Sequence, residues 1–233
     1  VRLLLASNSP DKQREVKDIL NLPGLELVLP GQLTATHHLD PAETGLTFAD
    51  NALIKARAHA DASGLTSLSD DSGLEVEALG GRPGVNSKRF SSGSDQDRCR
   101  RLLSLLVSSP DRTARFVSVV CIVVRPEGTG HDCTEGICAG PDLDGPTGLT
   151  GDLQPADSYF FQGEISGTIA RSARGRNGFG YDPVFIPDGY DMTFAQLGDD
   201  VKNRLSHRAR ALTAARPCIT KLMARRQTHS PAK

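Results

Sequence analysis

The chain has 233 residues, 38% of them apolar, few aromatics, no Trp and a formal net charge of -1. That is enough for one large domain or two small ones around a substantial core, and a near-zero charge excludes a general basic field for nucleic acid. Five Cys form no CxxC pair and no Cys/His zinc spacing, which fits a reducing cytosol, and no apolar run approaches the ~18 residues of a membrane span.

Residues 2–6, RLLLA, read as a buried strand, and 11–20 as a helix. Between them lies Ser7-Asn8-Ser9-Pro10, with Ser9 the expected N-cap and Pro10 the first helical position. Val16, Ile19 and Leu20 supply the apolar stripe. A strand feeding a helix through small polar residues presents backbone N–H groups that favour phosphate, and Lys12 adds a point charge. The plainer alternative is a capped helix with a solvated Lys. Residues 25–29, LELVL, alternate as a second strand. His37 and His38 follow in a polar loop, where adjacent imidazoles do not suit a metal. Thr47 and Asp50 form a capping box for a helix over 47–62, with Ala49, Leu53, Ala56 and Ala60 as its buried stripe. Asn51 and Lys55, four apart, share a face that suits phosphate oxygens or water.

The most informative stretch is SLSDDSGLEVEALGGRPGVNSKRF, residues 67–90. Asp70 and Asp71 follow a short apolar run, and Leu74, Val76 and Ala78 then alternate with Glu75 and Glu77. The pattern reads as strand, tight acidic turn, strand. Two carboxylates at a strand end suit a hard cation such as Mg2+, although a solvated Asp-Asp-Ser-Gly turn accounts for the same four residues.

Residues 94–106 read as a Leu-faced helix capped by Ser94 and Asp97. Residues 116–124, FVSVVCIVV, read as a buried central strand with Cys121 a small core residue. Residues 126–158 lose all periodicity and read as a long surface insertion carrying Cys133 and Cys138 as free thiols. A strand returns at 159–164. The Gly-rich run 174–183 follows, in which three Gly, two aromatics and Asp182 allow backbone to approach a flat ligand. A short strand over 184–186 and helices over 193–197 and from 199 complete the pattern. Ser206 is the expected cap of a last helix ending near 223, and Pro217 should kink or divide it.

Six blocks stand in order along the chain: TFADNALIKARAHA (47–60), DDSGLEVEALGGRPGV (70–85), ARF (114–116), GEISGTIAR (163–171), GFGYDPVF (178–185) and KNRLSHRARAL (202–212). Together they resemble the inosine/xanthosine triphosphate pyrophosphatase family, which hydrolyses deaminated purine nucleoside triphosphates (dITP/ITP, XTP/dXTP) to monophosphate and pyrophosphate. The resemblance implies Asp71 as catalytic base and metal residue, with Asp70 and Glu43 as further acids around Mg2+. It implies Ser7, Asn8, Ser9 and Lys12 as the first phosphate loop, Lys55 as a phosphate contact and Ser72 as a substrate contact. Phe179, Gly180, Tyr181 and Asp182 match the base-pocket segment, with Phe179 or Tyr181 stacking on the purine. Lys202, His207 and Arg208 match the C-terminal substrate segment.

Two departures stand out. Ser9 occupies the Asn position of the family's first loop, with Asn8 one place earlier, and the insertion replaces a short hairpin turn.

The expected architecture is one α/β unit over 1–225 with two lobes. A long mixed twisted sheet would carry helices on both faces and an active-site cleft between the lobes, with a frayed tail over 226–233. The resemblance further implies a cytoplasmic homodimer acting on a purine nucleoside triphosphate, with no nucleic-acid or membrane partner. Ser7-Asn8-Ser9-Pro10 locally resembles the septum-inhibitor-like pyrophosphatases that act on modified pyrimidine nucleotides. A nucleotide-binding module impaired by the Ser9 change is the non-enzymatic alternative.

Overall fold

The computed structural model describes residues 1–125 and 157–228. The insertion expected over 128–158, with Cys133 and Cys138, lies outside the described residues except for its last two positions. So does the tail beyond Thr228. The elements run β1 (Arg2–Leu5), α1 (Pro10–Ile19), β2 (Glu26–Val28), α2 (Phe48–Ser63), β3 (Ser67–Val76), α3 (Asp95–Leu105), β4 (Thr113–Val123), β5 (Ser158–Ile169), β6 (Phe185–Pro187), α4 (Phe194–Leu197), α5 (Asp199–Leu205) and α6 (His207–Thr228). The six strands form one sheet in the order β2-β1-β3-β4-β5-β6. It is mixed, since β1 pairs in parallel with β2 and β3 while β5 and β6 are antiparallel.

The chain forms two compact units. Among the described residues, the first comprises 1–71, 119–125, 157–161 and 211–228, and the second 72–118 and 162–210. In the first unit, Leu4 and Leu5 of β1 lie opposite Ser67 and Leu68 of β3. The chain leaves β1 through Ser7 and Asn8 into α1, where the Ser9 hydroxyl accepts from the Lys12 amide and Pro10 opens the helix. Val16, Ile19 and Leu20 are buried, as their spacing predicts. The α2 helix starts with the reciprocal Thr47/Asp50 capping box and ends on left-handed Gly64. Its buried stripe is Ala52, Leu53, Ala56 and Ala60, packed with Cys121 and Val123 of β4 and Phe160 of β5. Ala49, expected in that stripe, is only half-buried, because the entry of the helix turns Phe48 and Ala52 inward instead. Alanines let the helix approach closely enough for Ser69 of β3 to donate to the Ala52 carbonyl at 2.5 Å. At the far end of α2, Arg57 pairs with Asp157 at 2.9 Å, and Arg125 pairs with both Asp157 and Asp61.

The acidic stretch corrects the sequence reading. Residues 67–76 form one continuous strand, with no turn at Asp70–Gly73. Asp70 is fully buried and Asp71 nearly so. Local composition favours a turn here, but lysines supplied by α1 and α2 offset the buried charge and allow the strand to run through.

The second unit has an aromatic core. Phe116 packs edge-on to Phe185 at 4.7 Å between ring centroids, and Phe185 stacks on Phe194 at 5.4 Å. Leu74, Val76, Leu102, Leu106, Ile165 and Ile169 surround them. Each such side chain, fully buried, contributes about 1.5–3 kcal/mol. The α3 helix carries the expected Ser94/Asp97 capping box. Ser206 likewise accepts from the Ala209 amide at 3.2 Å, as a cap of α6. That last helix is not divided at Pro217 and continues to Thr228. Pro217 removes one backbone donor, while buried Cys218, Ile219 and Leu222 hold the turns on its C-terminal side in the core.

Candidate active site

The first unit gathers charge where the parallel strands end. The β1 strand is over at Leu5, and β3 runs on past it through Ser69, Asp70 and Asp71. The carboxyl ends of parallel strands are where open α/β sheets hold their ligands. Lys55 of α2 reaches this point with a side chain only 13% exposed. Its ammonium donates to Glu43 at 2.9 Å, to Asp71 at 2.9 Å and to the Asp70 carbonyl at 2.8 Å. Lys12 of α1 lies 3.2 Å from the Asp70 carboxylate and 3.4 Å from the Asp70 carbonyl. Glu43, Asp70, Asp71, Lys12 and Lys55, from four stretches of chain, therefore meet.

An ammonium has three N–H donors, and those of Lys55 are all engaged by these three oxygens. The sequence reading assigned Lys55 to the phosphates of a ligand. In this arrangement it bridges Glu43 and Asp71 and neutralises them. Burial works against its charge, but Asp71, Asp70 and Glu43 together hold its pKa above the usual lysine value. Burial pushes the Asp71 carboxyl up from its usual range, against the opposing pull of Lys55 and Lys12. A raised carboxyl is a better proton acceptor near neutrality.

Asn51 emerges as a site residue that sequence reasoning placed beside Lys55 but did not assign. It is fully buried. Its Oδ1 accepts from the Gly45 amide at 2.8 Å, and its Nδ2 donates to Asp71 at 3.4 Å. It thereby ties the loop bearing Glu43 to Asp71. Its four-residue spacing from Lys55 was the available signal.

In the first loop, the Asn8 amide donates to the Leu39 carbonyl at 2.9 Å. The Ser9 hydroxyl caps α1, and the Ser7 hydroxyl accepts from the Ser9 amide at 3.3 Å. The backbone of this loop leads directly into the N-terminus of α1.

The second unit gathers the other predicted residues. Phe179 is half-buried, with the Lys202 ammonium 4.2 Å above its ring centroid and the Arg208 guanidinium at 5.7 Å. Lys202 also pairs with Asp182 at 2.5 Å, and Asp182 accepts from the Phe179 amide at 2.9 Å. Arg208 donates to the Ser72 hydroxyl at 2.8 Å. His207 is buried and stacks on Phe116, with centroids 4.6 Å apart and planes 9° apart. Tyr181 belongs to the core, its hydroxyl donated to the Ser87 carbonyl at 2.9 Å and its pKa pushed up by burial. Of the two aromatics considered for stacking, only Phe179 offers a ring outside the core.

The profile of the Ham1 family matches residues 3–218, and the chain belongs to that family. A dITP/XTP pyrophosphatase of Leifsonia xyli is 39% identical over 95% of this chain and 97% of its own length. Another from Aquifex aeolicus is 36% identical over 91% and 93%. Among solved structures, a HAM1 protein from Coxiella burnetii superposes with a TM-score of 0.75 at 31% identity, covering 95% of this chain and 99% of that one. A nucleoside-triphosphatase/dITP/XTP pyrophosphatase from Mycobacterium abscessus does so with a TM-score of 0.64 at 37% identity, covering 92% and 98%.

Proposed function

We propose that this protein is a nucleoside triphosphate pyrophosphatase that hydrolyses deaminated purine nucleoside triphosphates, such as dITP and XTP, to monophosphate and pyrophosphate. The observation that carries the reading is the convergence of Glu43 and Asp71 on the single ammonium of Lys55. Two carboxylates whose oxygens share one ammonium are spaced to share another cation. Family membership and relatives named for dITP and XTP favour the purine reading over the pyrimidine alternative.

The donor set fits Mg2+. Both carboxylates supply hard oxygens, with Asp70 beside them. Among the described residues no three His, Cys, Asp or Glu side chains form a metal-holding group. Mg2+ does not require one, since it is commonly held by one or two carboxylates together with substrate phosphates. Bound there, it would neutralise charge developing on the phosphates. Asp71 would accept the proton of the attacking water. Lys12 and the N-terminus of α1 attract the phosphate tail. Lys55 keeps Glu43 and Asp71 in place. In the second unit, Phe179 offers the stacking face, with Ser72, Lys202 and Arg208 around it. His207 and Arg208 are the nearest candidates for donors to a 6-oxo group.

The test is pyrophosphate release from inosine, xanthosine, the four ordinary and modified pyrimidine triphosphates, with and without Mg2+. Mg2+-dependent release from the inosine and xanthosine substrates is expected, and preference for a modified pyrimidine would overturn the reading. A homodimer and a cytoplasmic location belong to the same proposal. Sedimentation at micromolar concentration checks the first.

A further inference from the structure

Gly180 is held on both sides by one helix, through the two peptide groups that flank its Cα. Its N–H donates to Asp95 Oδ2 at 2.6 Å, and its carbonyl accepts from the Cys99 thiol at 3.3 Å. Asp95 and Cys99 are four residues apart at the start of α3 and so lie on one face. Gly180 has φ +61, a left-handed conformation that is costly for most other residues, so the loop gains from an external restraint. The restraint is well built. Arg98 pairs with Asp95 through the carboxylate oxygen that Gly180 does not use. The Ser94/Asp97 box fixes the first turn of α3. Cys99 is 3% exposed, and burial pushes its thiol up to about 12, so the sulfur keeps its proton and remains a donor.

On either side of Gly180 the loop has different tasks. Tyr181 is anchored in the core, whereas Phe179 carries the half-buried ring beneath Lys202 and Arg208. Rotation of the backbone about Gly180 would swing the Phe179 ring relative to those cations.

We propose that Asp95 and Cys99 are positioning residues that clamp the backbone on both sides of Gly180 and so set the plane on which the Phe179 ring receives the nucleobase. The proposal rests on the pyrophosphatase reading for its substrate, while the clamp itself is independent of it. The clamp acts on the base and leaves the phosphate tail alone.

Asp95→Ala and Cys99→Ala should therefore each raise KM for inosine triphosphate about tenfold with kcat held within about twofold, and Cys99→Ser, which restores a donor, should recover most of the loss. The inhibition constant of inorganic triphosphate, a tail without a base, should not move. Hydrogen exchange should quicken over residues 176–183 in Asp95→Ala and remain unchanged over α2. Unaltered exchange over 176–183 would overturn the clamp whatever the substrate. Faster exchange with an unchanged KM, or a triphosphate constant that moves in step with KM, would overturn its role in base binding. Failure of the wild-type protein to release pyrophosphate from inosine triphosphate would instead remove the functional reading and with it the base-binding role, leaving exchange to decide the clamp.

Discussion

In the proposed reaction Asp71 is the residue on which the chemistry turns, a buried acid acting as the base. Burial raises its pKa while Lys55 keeps its anion tolerable. Asp71→Asn preserves shape and removes the charge. It should abolish measurable pyrophosphate release while leaving the melting temperature within a few degrees of wild type, which calorimetry checks. Asn51 has a subtler role, since it touches Asp71 and the Glu43 loop at once. Asn51→Leu should lower kcat about 10–100-fold, the usual cost of losing a partner that orients a metal-site ligand, with a smaller change in KM. Neither role for Lys55 nor for Asn51 was legible from residues 47–62 alone. Helical spacing puts the two side chains on one face, but only the path of β3 decides that this face meets carboxylates instead of water or phosphate.

At the scale of elements, α2 brings Asn51 and Lys55 to the site, and its capping box and His59 lie along the same helix. Gly45, just before the cap, marks how tightly the Glu43 loop is pressed on the helix. A Cβ there would fall inside contact distance of Asp50 Cβ and of Asn51 Oδ1. Gly45→Ala should therefore displace the loop, raising the Mg2+ concentration for half-maximal activity several-fold, which a metal titration reads. His59 gives α2 a pH signature. It is buried, with Nδ1 2.9 Å from the Lys55 carbonyl, and burial lowers its pKa from 6.5. The folded protein then declines a proton that the unfolded chain accepts. Its contribution is present above pH ~6.5, is lost as pH falls toward the lower folded value, and levels off below it. His59→Gln should flatten the dependence of melting temperature on pH below ~6.5 relative to wild type.

For the whole molecule, the main question is selectivity. Adenine and hypoxanthine differ at position 6 by an amine against an oxygen. A donor aimed at the oxygen is left unpaired by adenine, which supports discrimination of at least about a hundredfold. We expect kcat/KM for inosine triphosphate to exceed that for ATP by at least about that factor in a side-by-side steady-state assay. Arg208, already holding Ser72 beside the Phe179 ring, and His207, stacked on Phe116, are the side chains to vary first.

Read as a sequence, the chain already contained the local structure: the Ser9, Thr47 and Ser94 caps, the β-branched run of β4, and the six ordered blocks that carry the family. The caps and the strand depend on neighbours within a turn or two, so composition and spacing suffice for them, whereas the blocks speak through their resemblance to a family. It misled at Asp70–Gly73, because turn propensity is local while the lysines that permit a buried acidic strand come from α1 and α2. For the same reason only the tertiary structure could show that Lys55 spends all three donors on oxygens of Glu43, Asp70 and Asp71, that Tyr181 belongs to the core, and that α3 grips Gly180. Each of those outcomes is a contact between residues distant in the chain, and such contacts leave no periodicity to read.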